Sequence, residues 1–143
     1  MHYLLYTDGA YFPEHERSAI SYVMLQSTPK KEVRRMKQTV KGDTSARAEI
    51  KAIISAIYAL PTDAHSCNVV SDSQYAIDAL SRRCVCYNNT DLIALFDKIV
   101  AERGIVVSFS WVKSHSGNFY NELCDVLCTQ AMDEYVSQKQ SLT

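Results

Sequence analysis

The chain has 143 residues, 47% apolar and 22% charged, with a formal net charge of −1. That length makes one domain able to bury roughly 70% of the surface its unfolded chain exposes, and the near-neutral charge announces no bulk electrostatic attraction to nucleic acid. No apolar run approaches the ~20 residues of a membrane helix, and no basic start or small-residue cleavage site marks a secretory leader, so the expected setting is cytoplasmic, away from membranes.

Residues 2–7 read as a strand of aromatic and aliphatic side chains ending at Thr7, Asp8 and Gly9. Second and third strands follow at 18–26 and 31–40, with Pro29 in the turn between them. Residues 30–41 hold six basic residues and one acid, a pattern that suits a solvated or protected edge strand and could also face phosphates. After a loop at 41–45, Thr44 or Ser45 caps a helix whose Ile50, Ile53, Ile54 and Ile57 share one apolar face, and Pro61 ends it. A short apolar strand at 66–71 leads into a helix over 72–80. Leu92, Leu95, Phe96, Ile99 and Val100 mark another helix, stopped by Gly104. A fifth strand over 105–112 and a helix over 118–136 complete a β-β-β-α-β-α-α-β-α order, which predicts an α/β fold with one mixed sheet of five strands. The domain is expected to span 1–136, with 137–143 a disordered polar tail.

Cys67, Cys84, Cys86, Cys124 and Cys128 are odd in number and follow no secretory signal, which argues against a disulfide framework. Cys84/Cys86 and Cys124/Cys128 could be zinc half-sites, but neither spacing matches a common zinc knuckle, and cysteine is often a small core residue.

Four acids stand at element boundaries: Asp8, Glu49, Asp72 and Asp125. Singly, each has an ordinary explanation: a turn dipeptide, an early-helix acid, an N-cap, a solvated helix face. Together they are harder to dismiss, because sites in α/β sheets form beyond the carboxyl ends of parallel strands. Gathered carboxylates repel and take up protons unless cations neutralise them. Hard oxygen ligands suit Mg²⁺ or Mn²⁺, and two such ions ~4 Å apart can activate water against a phosphodiester.

The local words around these acids resemble type 1 ribonuclease H. Tyr6-Thr7-Asp8-Gly9 matches its first-strand motif, Thr44 to Ile50 its glutamate helix, and Ser71-Asp72-Ser73-Gln74 its third-acid motif. His115 and Gly117, followed by Asn121, Glu122 and Asp125, match its His-loop and last acid. The resemblance runs from about residue 2 to about 131. It implies an RNase H-like fold, with three antiparallel strands and then parallel ones flanked by helices. It also implies that Asp8, Glu49, Asp72 and Asp125 hold two Mg²⁺ (Mn²⁺ substituting) to hydrolyse the RNA strand of an RNA/DNA hybrid, leaving 3′-OH and 5′-phosphate ends. His115 would serve proton movement or product release without ligating metal. Gly9, Thr44, Ser45, Ser73 and Asn89 would contact substrate, Asn88 being an equal alternative to Asn89, and the protein would act as a monomer.

Departures from the pattern are plain. The loop after Asp8 lacks the glycines common there, and Ser45-Ala46 stands where the family often has an amide pair that reads ribose 2′-OH groups. Residues 81–90 are too short for a basic, Trp-rich handle, and no accessory hybrid-binding domain is expected, so the reading expects weaker hybrid affinity and a steep salt dependence, with Arg82, Arg83 and the 30–41 strand as compensation. A DEDD-type exonuclease would begin with Asp-x-Glu, whereas this chain has Asp8-Gly9-Ala10. The remaining alternatives are a non-cleaving hybrid-binding or protein-interaction module, and a domain working beside a reverse transcriptase.

Overall fold

The architecture comes from a computed structural model describing residues 1–42, 44–83 and 86–142. Among the described residues five strands form one sheet in the order β3-β2-β1-β4-β5. β1 (His2–Phe12), β2 (Arg17–Ser27) and β3 (Lys30–Lys41) make an antiparallel meander. β4 (Ser66–Ser71) and β5 (Val106–Trp111) then add in parallel on the other side of β1. The mixed sheet expected from the element order is the one observed.

β1 does not end at Asp8-Gly9. It runs on to Phe12 because Ala10, Tyr11 and Phe12 continue the ladder with Ala19, Ser18 and Arg17 of β2. A 3-10 turn at Pro13–His15 closes this hairpin, and Glu16 takes the left-handed conformation (φ 48°) where a glycine would be usual. On its other edge β1 pairs with β4 only as far as Tyr6 opposite Val70. Asp8 therefore sits on a continuous strand just where its parallel neighbour leaves it.

α1 (Ser45–Tyr58) packs Ile50, Ile53 and Ile57 fully buried against Tyr3, Leu5, Tyr22, Met24 and Val69, as the isoleucine spacing predicted. α2 (Gln74–Ser81) and α3 (Thr90–Arg103) join that layer, Phe96 meeting Phe109 of β5. The end of α1 is held from α3: the Arg103 guanidinium donates to the carbonyls of Ile57, Tyr58, Leu60 and Pro61 at 2.6–3.4 Å. α4 (Phe119–Ser141) covers the opposite face, burying Cys124, Leu127, Cys128, Ala131 and Met132 over β1 and β2.

Two other expectations are corrected, and the core reading of the C-terminal cysteine pair holds. The helix read from 72 begins at Gln74, with the Ser73 hydroxyl capping it by accepting from Ala76 N at 3.2 Å, which leaves Asp72 free of a capping role. The polar segment expected as a disordered tail is helical to Ser141: no glycine or proline interrupts it, and Tyr135 and Val136 anchor the helix against Phe12. Cys124 and Cys128 are core residues. Their thiols donate to the carbonyl of Tyr6 and the hydroxyl of Ser21, and burial pushes both upward, Cys124 to about 12. Cys84 lies outside the described residues, and Cys86 is half-buried. β3 is an edge strand, and Arg35 and Lys37 pair there with Glu32 and Glu134 at 2.6 Å. Among the described residues no helix is long and apolar enough to cross a membrane.

Candidate active site

Three elements deliver three carboxylates to one point. Asp8 comes from β1, Glu49 from the second turn of α1, and Asp72 from the junction of β4 and α2; one oxygen of each lies within 4.8 Å of the others. The approach of α1 to β1 depends on Gly9. A Cβ there would stand 2.4 Å from the carbonyl carbon of Ala48 and 2.6 Å from the nitrogen of Glu49, so only glycine lets the helix lie this close. The Gly9 backbone N–H also pulls the Asp8 and Glu49 carboxyls downward, against their crowding.

The electrostatics follow from crowding in a dry place. Asp8 is only 6% exposed; burial, then the charges of Asp72 and Asp125, push its pKa up to about 7 against the pull of Gly9 and Glu49. Burial and the same neighbouring acids, Asp8 and Asp72, hold Glu49 well above the usual carboxylate range. Its Oε1 is shut off from solvent and, among the described residues, has no hydrogen-bond partner. An unpartnered buried acceptor is costly, and here it faces into a group of hard oxygen donors. That donor set fits Mg²⁺ or Mn²⁺ and does not resemble a zinc site. Asp125, half-buried on α4, stands outside the group of three but close enough for its charge to act on Asp8.

His115 is exposed in the loop between β5 and α4, with a left-handed backbone (φ 55°) followed by Gly117 (φ 92°). Among the described residues no hydrogen bond to its ring is found, and its loop leads directly into the helix that carries Asp125. Thr44 and Asn89 are brought to one corner: the Thr44 hydroxyl caps α1 by accepting from Arg47 N at 3.1 Å, and the Arg47 guanidinium donates to Asn89 Oδ1 at 3.3 Å. Asn89, not Asn88, is the residue tied in, its amide also donating to Tyr75 at 2.9 Å. Ser45 is exposed in the first turn of α1, while the Ser73 hydroxyl is occupied as a cap.

Sequence reasoning missed three contributors. Arg47 also makes a two-pronged ion pair with Asp91 at 2.8 and 2.9 Å, holding that carboxyl down at about 2. Trp111 Nε1 donates to the carbonyl of Asp72 at 3.1 Å. Asn121, quoted only as a motif letter, is 3% exposed and donates from Nδ2 to Asp72 Oδ2 at 3.3 Å. A polar residue in the early α4 turn, on the face of Cys124 and Cys128, was the available signal.

The sequence profile of the RNase H family matches residues 1–133. This chain belongs to the RNase H family. Among its relatives is a ribonuclease H of Lachnoclostridium phytofermentans, 31% identical over 148 residues and covering 90% of each chain. Another, from Clostridium botulinum, is 29% identical over 149 residues, covering 92% of this chain and 96% of that one. The fold is likewise shared with the N-terminal RNase H domain of a Mycobacterium tuberculosis protein (TM-score 0.82, 18% identity, 96% and 98% covered). RNase H1 of the archaeon Halobacterium salinarum superposes similarly (TM-score 0.79, 22% identity, 94% and 99% covered). Within the RNase H family this is a compact member of the type 1 kind, a nuclease by descent, with α2 passing to α3 through a short connection in place of a handle.

Proposed function

We propose that the chain is a divalent-metal-dependent endonuclease that hydrolyses the RNA strand of RNA/DNA hybrids, leaving 3′-OH and 5′-phosphate ends. The observation that carries this reading is the convergence of Asp8, Glu49 and Asp72 within 4.8 Å, with a buried, unpartnered Glu49 oxygen among them. Asp8, Glu49, Asp72 and Asp125 would hold Mg²⁺, or Mn²⁺ in its place. Bound there, divalent ions supply an activated water and charge stabilisation for the departing oxygen.

The protein's own groups account for the rest. Gly9 and α1 fix Glu49 against Asp8, so the donors are arranged before any ion arrives. His115, exposed on its loop, takes up or releases a proton at the edge of the site. Its loop position suits product release. Thr44, Asn89 and Ser45, at the starts of α3 and α1, offer hydroxyl and amide groups for a backbone phosphate and for the ribose 2′-OH that separates RNA from DNA. With no handle on the α2–α3 connection, binding leans on exposed basic groups such as Arg82, Arg83, Lys30 and Lys31, and weakens steeply with salt.

The test is cleavage of a labelled RNA/DNA hybrid with Mg²⁺ or Mn²⁺, beside duplex DNA, duplex RNA and Asp72→Asn. Cutting confined to the RNA strand of the hybrid, and lost in the variant, is the expected result. Hybrid binding without cutting under either ion would refute the nuclease and leave a binding module.

A further inference from the structure

The geometry points to Asn121 as a positioning residue that holds the Asp72 carboxylate toward the acid cluster, and ties it to the loop carrying His115. This rests on the function proposed above.

Three carboxylates within 4.8 Å repel one another, and the one with the loosest tether gives way first. Asp8 is fixed on a strand, and Glu49 is shut in by α1. Asp72 sits where the chain has left β4 and has not yet entered α2, so no strand or helix of its own fixes its backbone. Two contacts restrain it from two different elements. Trp111 of β5 holds its backbone carbonyl, and Asn121 of α4 holds its Oδ2. An ionised carboxylate only accepts hydrogen bonds, which requires that the amide present Nδ2 and not Oδ1. An amide donor brings the needed hydrogen bond without adding a charge, so it steadies Asp72 without competing for a cation as a lysine would.

Asn121 is itself placed by the loop. Its backbone N–H donates at 3.0 Å to Oδ1 of Asn118, the N-cap of α4. Asn118 directly follows Gly117, whose positive φ, with that of His115, shapes the turn. One helical turn thus joins the loop to the carboxylate: loop, Asn118 cap, Asn121 amide, Asp72. A distorted loop would loosen Asp72 without touching it.

The test is Mn²⁺ titration by calorimetry in the absence of nucleic acid, on the wild type, Asn121→Ala and Asn121→Leu, the last keeping most of the buried volume. Cleavage of the hybrid is followed in parallel across Mg²⁺ concentration. Removing a group that orients a metal ligand is expected to weaken Mn²⁺ affinity ~10–100-fold. The Mg²⁺ requirement should move in step, and activity should return as Mg²⁺ is raised. Mn²⁺ affinity within about threefold of the wild type, whatever the change in Tm, would overturn the assignment. So would failure of both variants to fold, which would make Asn121 a residue of the fold alone. A wild type that binds no Mn²⁺ would overturn the function proposed above together with this one; an unchanged variant beside a binding wild type would overturn only this one.

Discussion

Replacing Asp8 by asparagine should stabilise the metal-free protein, and do so only above acid pH. The Asp8 carboxyl has a pKa near 7 in the fold against 3.8 for the free side chain, so the folded state binds its proton more tightly than the unfolded state does. Stability is therefore undiminished below about pH 4 and is lost progressively as pH rises to about 7. At 1.36 kcal/mol per unit, a shift of roughly three units costs up to about 4 kcal/mol at pH 8.5. Sharing of protons with Glu49 and Asp72 reduces this, so about 2–4 kcal/mol is the range to expect, or a Tm gain on the order of 6–12 °C. Asparagine keeps the shape but carries no charge to be buried. Thermal melts in chelator at pH 4 and 8.5 measure it: the gain should fall below about 1 kcal/mol at pH 4. Added Mg²⁺ should then raise the wild type far more than the variant. An equal gain at both pH values, or none at either, would refute the idea that charge crowding strains this site.

Two further perturbations test how the site is mounted. Gly9→Ala would drive a methyl into the backbone of Ala48 and Glu49; urea melts should show a loss on the order of 3 kcal/mol, and Mn²⁺-induced stabilisation should shrink because Glu49 is displaced. Arg103→Ala strips the carbonyls at the end of α1 of their shared donor and should cost roughly 2–3 kcal/mol by the same melts, with Mn²⁺ affinity left near that of the wild type, since the change lies at the far end of α1 from Glu49.

The mixed five-stranded sheet, the apolar face of α1 and the coming together of Asp8, Glu49 and Asp72 were all legible in the chain, because periodicity and order of elements constrain them strongly. What was not legible depended on pairing between distant residues. Nothing in Ala10, Tyr11 and Phe12 announces a strand until Arg17, Ser18 and Ala19 are set opposite them. The segment 137–141 looked disordered because it is polar, yet a helix already anchored by Tyr135 and Val136 extends through polar residues at little cost. The roles of Trp111 and Asn121 arise from side chains meeting across about 40 to 50 residues of sequence, which no local pattern records.

The central strand has one partner that is near in the chain and one that is remote. β2 follows β1 through a four-residue turn, whereas β4 arrives only after β3 and α1. While the first hairpin stands alone, Asp8 is an ordinary solvated aspartate, and its quarrel with Glu49 and Asp72 does not yet exist. The repulsion exists only once α1 and β4 have docked on that hairpin and brought Glu49 and Asp72 to Asp8. Repulsion that is absent from a folding transition state does not slow folding and is felt in how fast the finished molecule comes apart. A bound cation would then act chiefly as a latch on the completed fold.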